Sequence, residues 1–537
     1  MRNNKSLLKK VIAVLCVVLM LTATLAACAP KKETSGSTGG STDTTGSSSS
    51  TQTSSGSQQQ VNEPKKEQAY KLSIMAPYAS DEHDKNPHRQ EIYRRIREYT
   101  NTDVEFIFYP QTLYYEKVPL VLATADMPSI MVVGKDLAAG PGENGDIWEV
   151  GPYLDKFPNL TTIPEAVRQN ASHNGRLYGI PRSRALGRNG VGYRLDWVEN
   201  LGLPQPKTID DFYGMLVAFT KNDPDRNGKN DTIGMAVTQY NGPWDQMQIW
   251  FGAPNGWKEE NGKLIPAHMT KEWDDALKFF RKIYSEGLVN QDFDTYDPAR
   301  WDELLRGGIA GCAVDVVDRF ARNQEYFERE GIPAKTMIVG GFEGPYGLRI
   351  LPTAGFADLL IISKDKVKTE DELMKALNFL DKLNDAEMRN LIEWGVQGID
   401  WDYGEDGEPI RYTVEEKPEI GTPNPREGLN QIIPYWSREE EAAKLITATQ
   451  NEIRTLMSKV QTENEKYTVP NPGASFQPPT MTQIGTDLNN IIIDARTQYI
   501  KGIIDDVGLQ AAKNQWLKSG GQQVIDEINE LYQASKK

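Results

Sequence analysis

Tyr70-Lys71-Leu72-Ser73-Ile74-Met75 alternates in character, and so does Asp103-Val104-Glu105-Phe106-Ile107-Phe108-Tyr109, with Val104, Phe106 and Phe108 on one side. A two-residue period marks a strand. Between them, residues 88–99 set Ile92, Ile96 and Tyr99 at helical spacing, with Arg94, Arg95 and Arg97 on other faces. A helix over 117–125, ending near Asp126-Met127-Pro128, and a short apolar strand, Ile130-Met131-Val132-Val133, continue the series. Strand, helix, strand, helix, strand is the rhythm of an α/β lobe on a mainly parallel sheet.

Farther along, Asn174-Gly175-Arg176-Leu177-Tyr178-Gly179-Ile180-Pro181 reads as a turn leading to a strand, and Gly192 to Asp196 opens a second lobe. Thr208, with Asp211 three residues on, starts a helix in a capping-box pattern, and Ile209, Phe212, Leu216 and Phe219 give that helix an apolar face. Residues 272–286 form an amphipathic helix and residues 310–317 a buried strand. Thr353 to Ile362 is strand-like, and the helix after it carries Leu373, Ala376, Leu377 and Leu380, which reads as a return to the first lobe. The expected organisation is 68–185 as the first part of lobe 1, 186–350 as lobe 2, 351–395 as the return, and 396–537 as lobe 2 with closing helices. Repeated crossings make a hinge, and the space between lobes is a natural ligand cleft.

Upstream of the body, Arg2, Lys5, Lys9 and Lys10 precede the apolar run Val11 to Leu21, and Leu25-Ala26-Ala27-Cys28 closes it with small residues. This is a secretory signal over 1–27, too short for a membrane span. Leu25 to Cys28 resembles the lipobox of bacterial lipoproteins, which implies cleavage before Cys28 and a diacylglycerol on its sulfur. Residues 28–67 then form a tether. Lys31 to Gln60 is almost entirely Ser, Thr, Gly and Gln, and such a composition stays disordered. A coil of about 36 residues reaches roughly 30–36 Å.

The chain of 537 residues carries a formal charge of −15, and −19 without the four basic residues of the signal. An acidic body repels nucleic acid, so none is expected as a partner. Cys312 alone remains once Cys16 is removed and Cys28 is acylated, which excludes a disulfide framework. Its setting, Gly311-Cys312-Ala313-Val314, reads as core. Four histidines show no metal-ligand spacing, and neither G-x-x-x-x-G-K-[ST] nor G-x-S-x-G occurs.

Three stretches carry binding chemistry. Asp223-x-Asp225-x-Asn227-Gly228-Lys229-x-Asp231 offers side-chain oxygens at loop positions one, three, five and nine, glycine at six, and the Lys229 carbonyl at seven. That set suits Ca²⁺, although Gly234 stands at position twelve where an EF-hand has glutamate. A polar turn without metal is the alternative reading. Glu393-Trp394-Gly395-Val396-Gln397-Gly398-Ile399-Asp400-Trp401 sets two tryptophans beside acids and glycines, and aromatic faces stack on sugar rings. Arg182, Arg184, Arg188 and Arg194 gather at the expected crossing, where a carboxylate or phosphate ligand would suit them, ion pairs with acidic neighbours being the alternative.

Tyr153-Leu154-Asp155-Lys156-Phe157-Pro158-Asn159-Leu160, Asn174-Gly175-Arg176-Leu177-Tyr178-Gly179-Ile180-Pro181 and Arg194-Leu195-Asp196-Trp197-Val198-Glu199-Asn200-Leu201-Gly202-Leu203-Pro204, together with the loop Asp223 to Asp231 and Gly395-x-x-Gly398, resemble the family 1 extracellular solute-binding proteins of bacteria. The likeness runs over nearly the whole body and is nearest to the subgroup that includes alginate-binding proteins. It implies a two-lobed, periplasmic-binding-protein-like (type II) α/β fold. That fold would close on a saccharide as a monomer, at the outer face of a Gram-positive cell, and deliver it to an ABC permease. It also implies a Ca²⁺ held by Asp223, Asp225, Asn227, Lys229 and Asp231, where relatives add a glutamate at the position of Thr232. Position within the matched stretches, joined to chemistry, points to Trp394, Trp401, Tyr178, Arg182 and Trp250 as ligand contacts. A polysaccharide hydrolase and a peptide-binding or sensor-associated lipoprotein are the alternative functions.

Overall fold

β1 (Tyr70–Tyr78) pairs in parallel with β2 (Thr102–Pro110) along its whole length in the computed structural model, which describes residues 68–536 apart from 125 and 423. The signal segment, Cys28 and the whole of the tether lie outside the described residues. Helix α1 (Arg89–Thr100) joins the two strands and buries Ile92 and Ile96, as its spacing requires. Helix α2 (Gln111–Leu122) follows β2 directly, earlier than the expected 117–125, and leads toward β3 (Ile130–Val133), which lies parallel to β1.

β4 (Ile180–Ser183) ends where the chain leaves this lobe for β5 (Asn189–Arg194) in the next. Helix α3 (Ile209–Lys221) begins at Thr208, whose hydroxyl accepts from Asp211 N–H while the Asp211 carboxylate accepts from Thr208 N–H. β6 (Ile233–Met235), helix α4 (Gly242–Trp250), the hairpin of β7 (Trp257–Glu260) and β8 (Lys263–Pro266), and helix α5 (Lys271–Ser285) come next. β9 (Ala310–Val316) runs into helix α6 (Val317–Arg329), and β10 (Thr336–Val339) completes a second sheet in the order β10-β5-β9-β6. Trp197, Phe212, Phe219, Trp244, Trp250 and Phe280 pack into one core on this sheet. Cys312 lies fully buried in it, and burial pushes its thiol well above the usual range, consistent with a core residue rather than a nucleophile.

β11 (Phe356–Ile362) brings the chain back to the first sheet, whose order is β2-β1-β3-β11-β4. This sheet is mixed: β11 is antiparallel to both β3 and β4. The reason is local. β4 ends at the crossing and β11 begins there, with Phe356 opposite Ser183, so the two strands must run in opposite senses. Helices α7 (Glu370–Lys382) and α8 (Ala386–Trp394) pack on the first sheet, followed by the small hairpin of β12 (Trp401–Tyr403) and β13 (Pro409–Arg411).

The expected boundary at 395/396 needs correction. Val396, Leu429, Ile432 and Ile433 belong to the first core, because the segment after α8 doubles back across that lobe. The chain rejoins the second lobe at helix α9 (Glu452–Asn464), whose Ile453 and Met457 pack with Leu304, Leu305 and Phe320. Helices α10 (Pro479–Ile500), α11 (Asp506–Trp516) and α12 (Gln522–Ala534) close the chain. Ala495, Tyr499, Ile500 and Leu509 join the core of the second sheet.

The crossings are tied to one another. Thr353 donates through N–H to Leu186 O (3.0 Å) and through Oγ1 to Ala185 O (2.8 Å), and Arg184 N–H donates to Gly355 O (2.9 Å). Ile350 exchanges backbone bonds with Tyr467 O and Val469 N–H. Asn464, buried at the end of α9, donates from Nδ2 to both Gly187 O (2.9 Å) and Asn189 O (2.8 Å). Its amide sits so close to Gly340 that a Cβ there would collide with it. A second tie lies in the segment before α10, where Ser475 O accepts from Asn174 N–H and Ala474 O accepts from Lys135 Nζ.

Asn464→Ala strips both carbonyls of the donor that satisfies them. Urea denaturation of the variant should show a loss of about 2 kcal/mol, the usual cost of buried polar groups left unpaired. A midpoint equal to the parent's would mean that the side chain does not tie the crossings.

Candidate functional site

A cavity of 640 Å³ opens beside the crossings, and its wall is drawn from both lobes. Arg182 enters it from β4. The strand buries this residue to 2 % exposure, with Nη1 3.4 Å from Asp358 Oδ2 and Nη2 donating to Asn430 O at 3.2 Å. Its Nε has no partner. Burial holds the guanidinium below its usual pKa, against the opposing pull of Asp358. Arg184 follows two residues later, as the two-residue strand period prescribes for a shared face, and is exposed with Nη1 on Ser183 O. Arg188 comes from the crossing itself and pairs with Asp318, in the first turn of α6, at 2.9 Å. Gln461 of α9 donates to the same carboxylate at 3.3 Å.

Helix α8 supplies Arg389 and Glu393, four residues apart and therefore on one face. Glu393 accepts from Arg426 Nη1 at 2.7 Å and from the Tyr435 hydroxyl at 2.6 Å. Tyr435 has φ of +63°, a left-handed conformation that costs a bulky residue energy. Burial first, and then the Glu393 carboxylate, push its phenol far above the usual range, so it stays a donor. Arg389 lies over the Tyr435 ring at 5.0 Å, donates from Nη1 to Ser437 Oγ at 3.3 Å, and leaves Nε unpartnered. Burial lowers its pKa too. The cavity thus offers guanidinium donors, a fixed hydroxyl and amide groups, and both of its carboxylates are engaged in ion pairs.

Of the five expected ligand contacts, Arg182 alone lines this cavity. The four aromatic side chains are 2–7 % exposed and none lines this cavity, although Trp401 lines a separate one beside Gly395 and Gln397. Trp250 meets Phe212 and Phe342 edge-to-face. Tyr178 fills the space above Gly142, where a Cβ would strike its ring. Trp394 donates from Nε1 to Ile446 O at 2.9 Å under the Arg411 guanidinium, and Trp401 packs against it at 5.6 Å. The intervening turn is structural. Gly395 and Gly398 have positive φ, and Asp400 Oδ2 accepts from Val396 N–H at 2.7 Å. The residue of that stretch that lines the cavity is Glu393, one position earlier and therefore about 100° around the helix from Trp394. Arg389, Arg426, Asn430 and Tyr435 carried no sequence pattern of their own. Arg194 stands apart, paired with Asp196 at 2.5 Å and set over Trp197.

In the loop 223–231, Asn227 Nδ2 donates to Asp225 Oδ2 (2.9 Å) and Asp231 Oδ1 (3.1 Å), while Asp223 accepts from Asn227 and Gly228 N–H. Among the described residues, no three carboxylate, histidine or cysteine side chains close to metal-ligating geometry. The donor set nevertheless fits a hard cation: Asp225 and Asp231 gather on the Asn227 side-chain amide, and Asp223 on the backbone N–H groups of Asn227 and Gly228. Burial, then the neighbouring carboxylates, raise the Asp225 pKa. Thr232 cannot stand in for the missing glutamate, because it is buried with its hydroxyl donating to Phe219 O at 2.7 Å.

Residues 89–303 match the family described as bacterial extracellular solute-binding protein. The chain is 41% identical over 482 residues to lipoprotein LipO of Bacillus subtilis, covering 87% of this chain and 93% of the relative. It is 30% identical over 474 residues to the polygalacturonan/rhamnogalacturonan-binding protein YtcQ of the same organism, covering 87% and 92%. An extracellular solute-binding protein from Bifidobacterium longum subsp. infantis superimposes with a TM-score of 0.64 at 17% identity, over 87% of this chain and 99% of that one. The Streptococcus pneumoniae ABC-transporter substrate-binding protein FusA, solved as an EF-hand mutant with fructo-nystose, superimposes with a TM-score of 0.59 at 18% identity, over 87% and 99%.

With Trp394 and Trp401 in the core, Trp394→Ala should lower unfolding free energy by about 3–5 kcal/mol, the range for emptying a buried aromatic site. The folded fraction should keep the parent's affinity for ligand. Chemical denaturation and calorimetric titration separate the two effects, and an affinity loss at unchanged stability would return Trp394 to the ligand wall.

Proposed function

The chain belongs to the bacterial extracellular solute-binding proteins, and from that premise we propose that it is the substrate-binding protein of an ABC importer, capturing an oligosaccharide in the cavity beside the crossings. The observation that carries this reading is the cavity itself, walled by Arg182, Arg389 and Tyr435 from one lobe and by Arg188, Asp318 and Gln461 from the other. A ligand there touches both lobes at once, so its binding energy is coupled to their relative rotation. Relatives named for polygalacturonan and fructooligosaccharide binding support a saccharide. Cys28 carries the lipid, in keeping with a relative named as a lipoprotein, and residues 28–67 tether a monomeric body to the outer face of a Gram-positive membrane. The permease subunits of the importer are its protein partners.

The protein holds its ligand without breaking a bond. Glu393 and Asp318 are the carboxylates of the wall, and each is committed to an arginine and a second donor. Neither stands free to serve as an acid or nucleophile in the two-carboxylate mechanism of glycosidases. The loop 223–231 takes Ca²⁺ through Asp223, Asp225, Asn227, the Lys229 carbonyl and Asp231, with water completing the shell. The EF-hand named for FusA supports this site. The ion pins α3 to β6 and takes no part in ligand capture.

Calorimetric titration of the purified full chain against a panel of neutral and acidic oligosaccharides should give saturable one-site binding. Chromatography of the same mixtures should show intact sugar after prolonged incubation. Accumulating cleavage products at enzyme-like rates would rule the reading out. For the metal, Ca²⁺ at about a hundred times its Kd should stabilise the fold by about 2.7 kcal/mol. Asp225→Ala should abolish that increment while leaving the melting temperature in EDTA unchanged or higher. An equal loss in Ca²⁺ and in EDTA would remove the ion from the account.

A further inference from the structure

We propose that the second lobe holds a ligand site of its own, a cavity of 460 Å³ between α4, the β7–β8 hairpin and the closing helices, which takes one neutral polyhydroxylated ring. It shares no lining residue with the cavity beside the crossings, and it stands independently of the saccharide-capture reading. Its volume falls within the range of about 300–1,000 Å³ typical of small-molecule sites. Along α4, Asn241 at the cap, Asp245 and Gln248 fall on one face by the helical period and line the space, while Trp244 and Met247 turn into the core. Opposite them, α10 presents Asn489, Ile493 and Arg496. His268 enters from the turn after β8 and meets the Trp516 ring edge-on at 4.4 Å. With Trp516, the indoles of Trp257 and Trp273 make much of the apolar wall.

Two buried polar atoms of this wall have no partner, Gln248 Oε1 and His268 Nε2. Gln248 is 8 % exposed, so its carbonyl oxygen has lost water without gaining a donor, which costs free energy until a donor arrives. Burial, and then the Lys513 ammonium, lower the His268 pKa to about 3, so the ring stays neutral, with one donor and one acceptor nitrogen. A hydroxyl both donates and accepts, and therefore answers either atom. Charge is already closed: Asp245 and Arg496 are the ionised groups among the lining residues, and they pair with each other at 2.6 Å. An anion or cation entering here would give up its hydration and find no counter-charge left over. The indoles in turn call for an apolar face. A ring with C–H faces and a hydroxylated edge meets both demands, whereas a wholly apolar ring would leave Gln248 and His268 unanswered.

The test titrates the full chain with myo-inositol and with D-glucose, a cyclitol and a pyranose that share the neutral hydroxylated ring, by calorimetry and tryptophan fluorescence. At least one should saturate a single site by about 10 mM, a concentration that nearly fills a site of millimolar Kd. D-Glucuronate, which adds a charge, and cyclohexanol, which strips all hydroxyls but one, should each bind at least ~10-fold more weakly. Asn489→Trp plugs the cavity from an exposed position, and Gln248→Met removes the carbonyl oxygen while keeping the length of the side chain. Each should weaken binding of the ring at least ~10-fold, with folding confirmed by the melting temperature. Cyclohexanol or glucuronate binding as tightly as the neutral polyols would overturn the ligand class. Unchanged affinity in Asn489→Trp would overturn the placement. No saturable response to either polyol would overturn the site itself and leave capture in the cavity beside the crossings standing.

Discussion

The constraint on which the structure depends is the zipping of the crossings. Residues 184–189, 350–355 and 464–469 are joined by bonds between Thr353 and Leu186, Arg184 and Gly355, Ile350 and the Tyr467–Val469 pair, with Asn464 closing the set onto Gly187 and Asn189. Each passage alone would be a flexible loop. Bonded together they form one narrow joint, with a parallel bridge between Ile350 and Thr468, made of the loop and element-terminal residues at which hinges are placed. The cavity lies beside this joint, so its lining from one lobe keeps a defined partner lining from the other.

The same constraint explains which parts of the fold were legible in the sequence. The period-two run at 70–75 and the helical spacing of Ile92 and Ile96 are local facts, and both elements stand where those patterns put them. The Thr208 and Asp211 cap is likewise local. The direction of β11 is not. Nothing within Phe356 to Ile362 says that it will lie antiparallel to β3, because that follows from where the chain re-enters the lobe. The assignment of 396–537 to the second lobe departs from the packing in its first part, before α9, for a related reason. Val396, Leu429 and Ile432 are scattered apolar residues in an irregular segment, and only the packed structure shows which core they complete.

The site was legible in charge and illegible in aromatics. Arg182, Arg184 and Arg188 stood out because three cations in seven residues are unusual in an acidic chain, and all three line the cavity. Tryptophan gave no such contrast. A lobe with a core as large as the second one needs bulky apolar side chains, and Trp197, Trp244 and Trp250 meet that need beside Phe212, Phe219 and Phe280. Tryptophan count therefore measured core size rather than ligand stacking. Arg389, Glu393, Arg426 and Tyr435 converge from α8 and from a loop some forty residues later in the chain, and no pattern within either segment announces the meeting.

Tyr435 shows how that meeting is enforced. Its backbone sits at φ +63°, where a glycine would rest without strain, yet the position holds one of the largest side chains. The strain is offset by what the conformation delivers, a hydroxyl on Glu393 and a ring beneath Arg389. Glu393 in turn holds Arg426. Strain at one residue thus fixes a hydroxyl and a ring in the cavity wall, the first holding the Glu393 carboxylate and the second lying beneath Arg389.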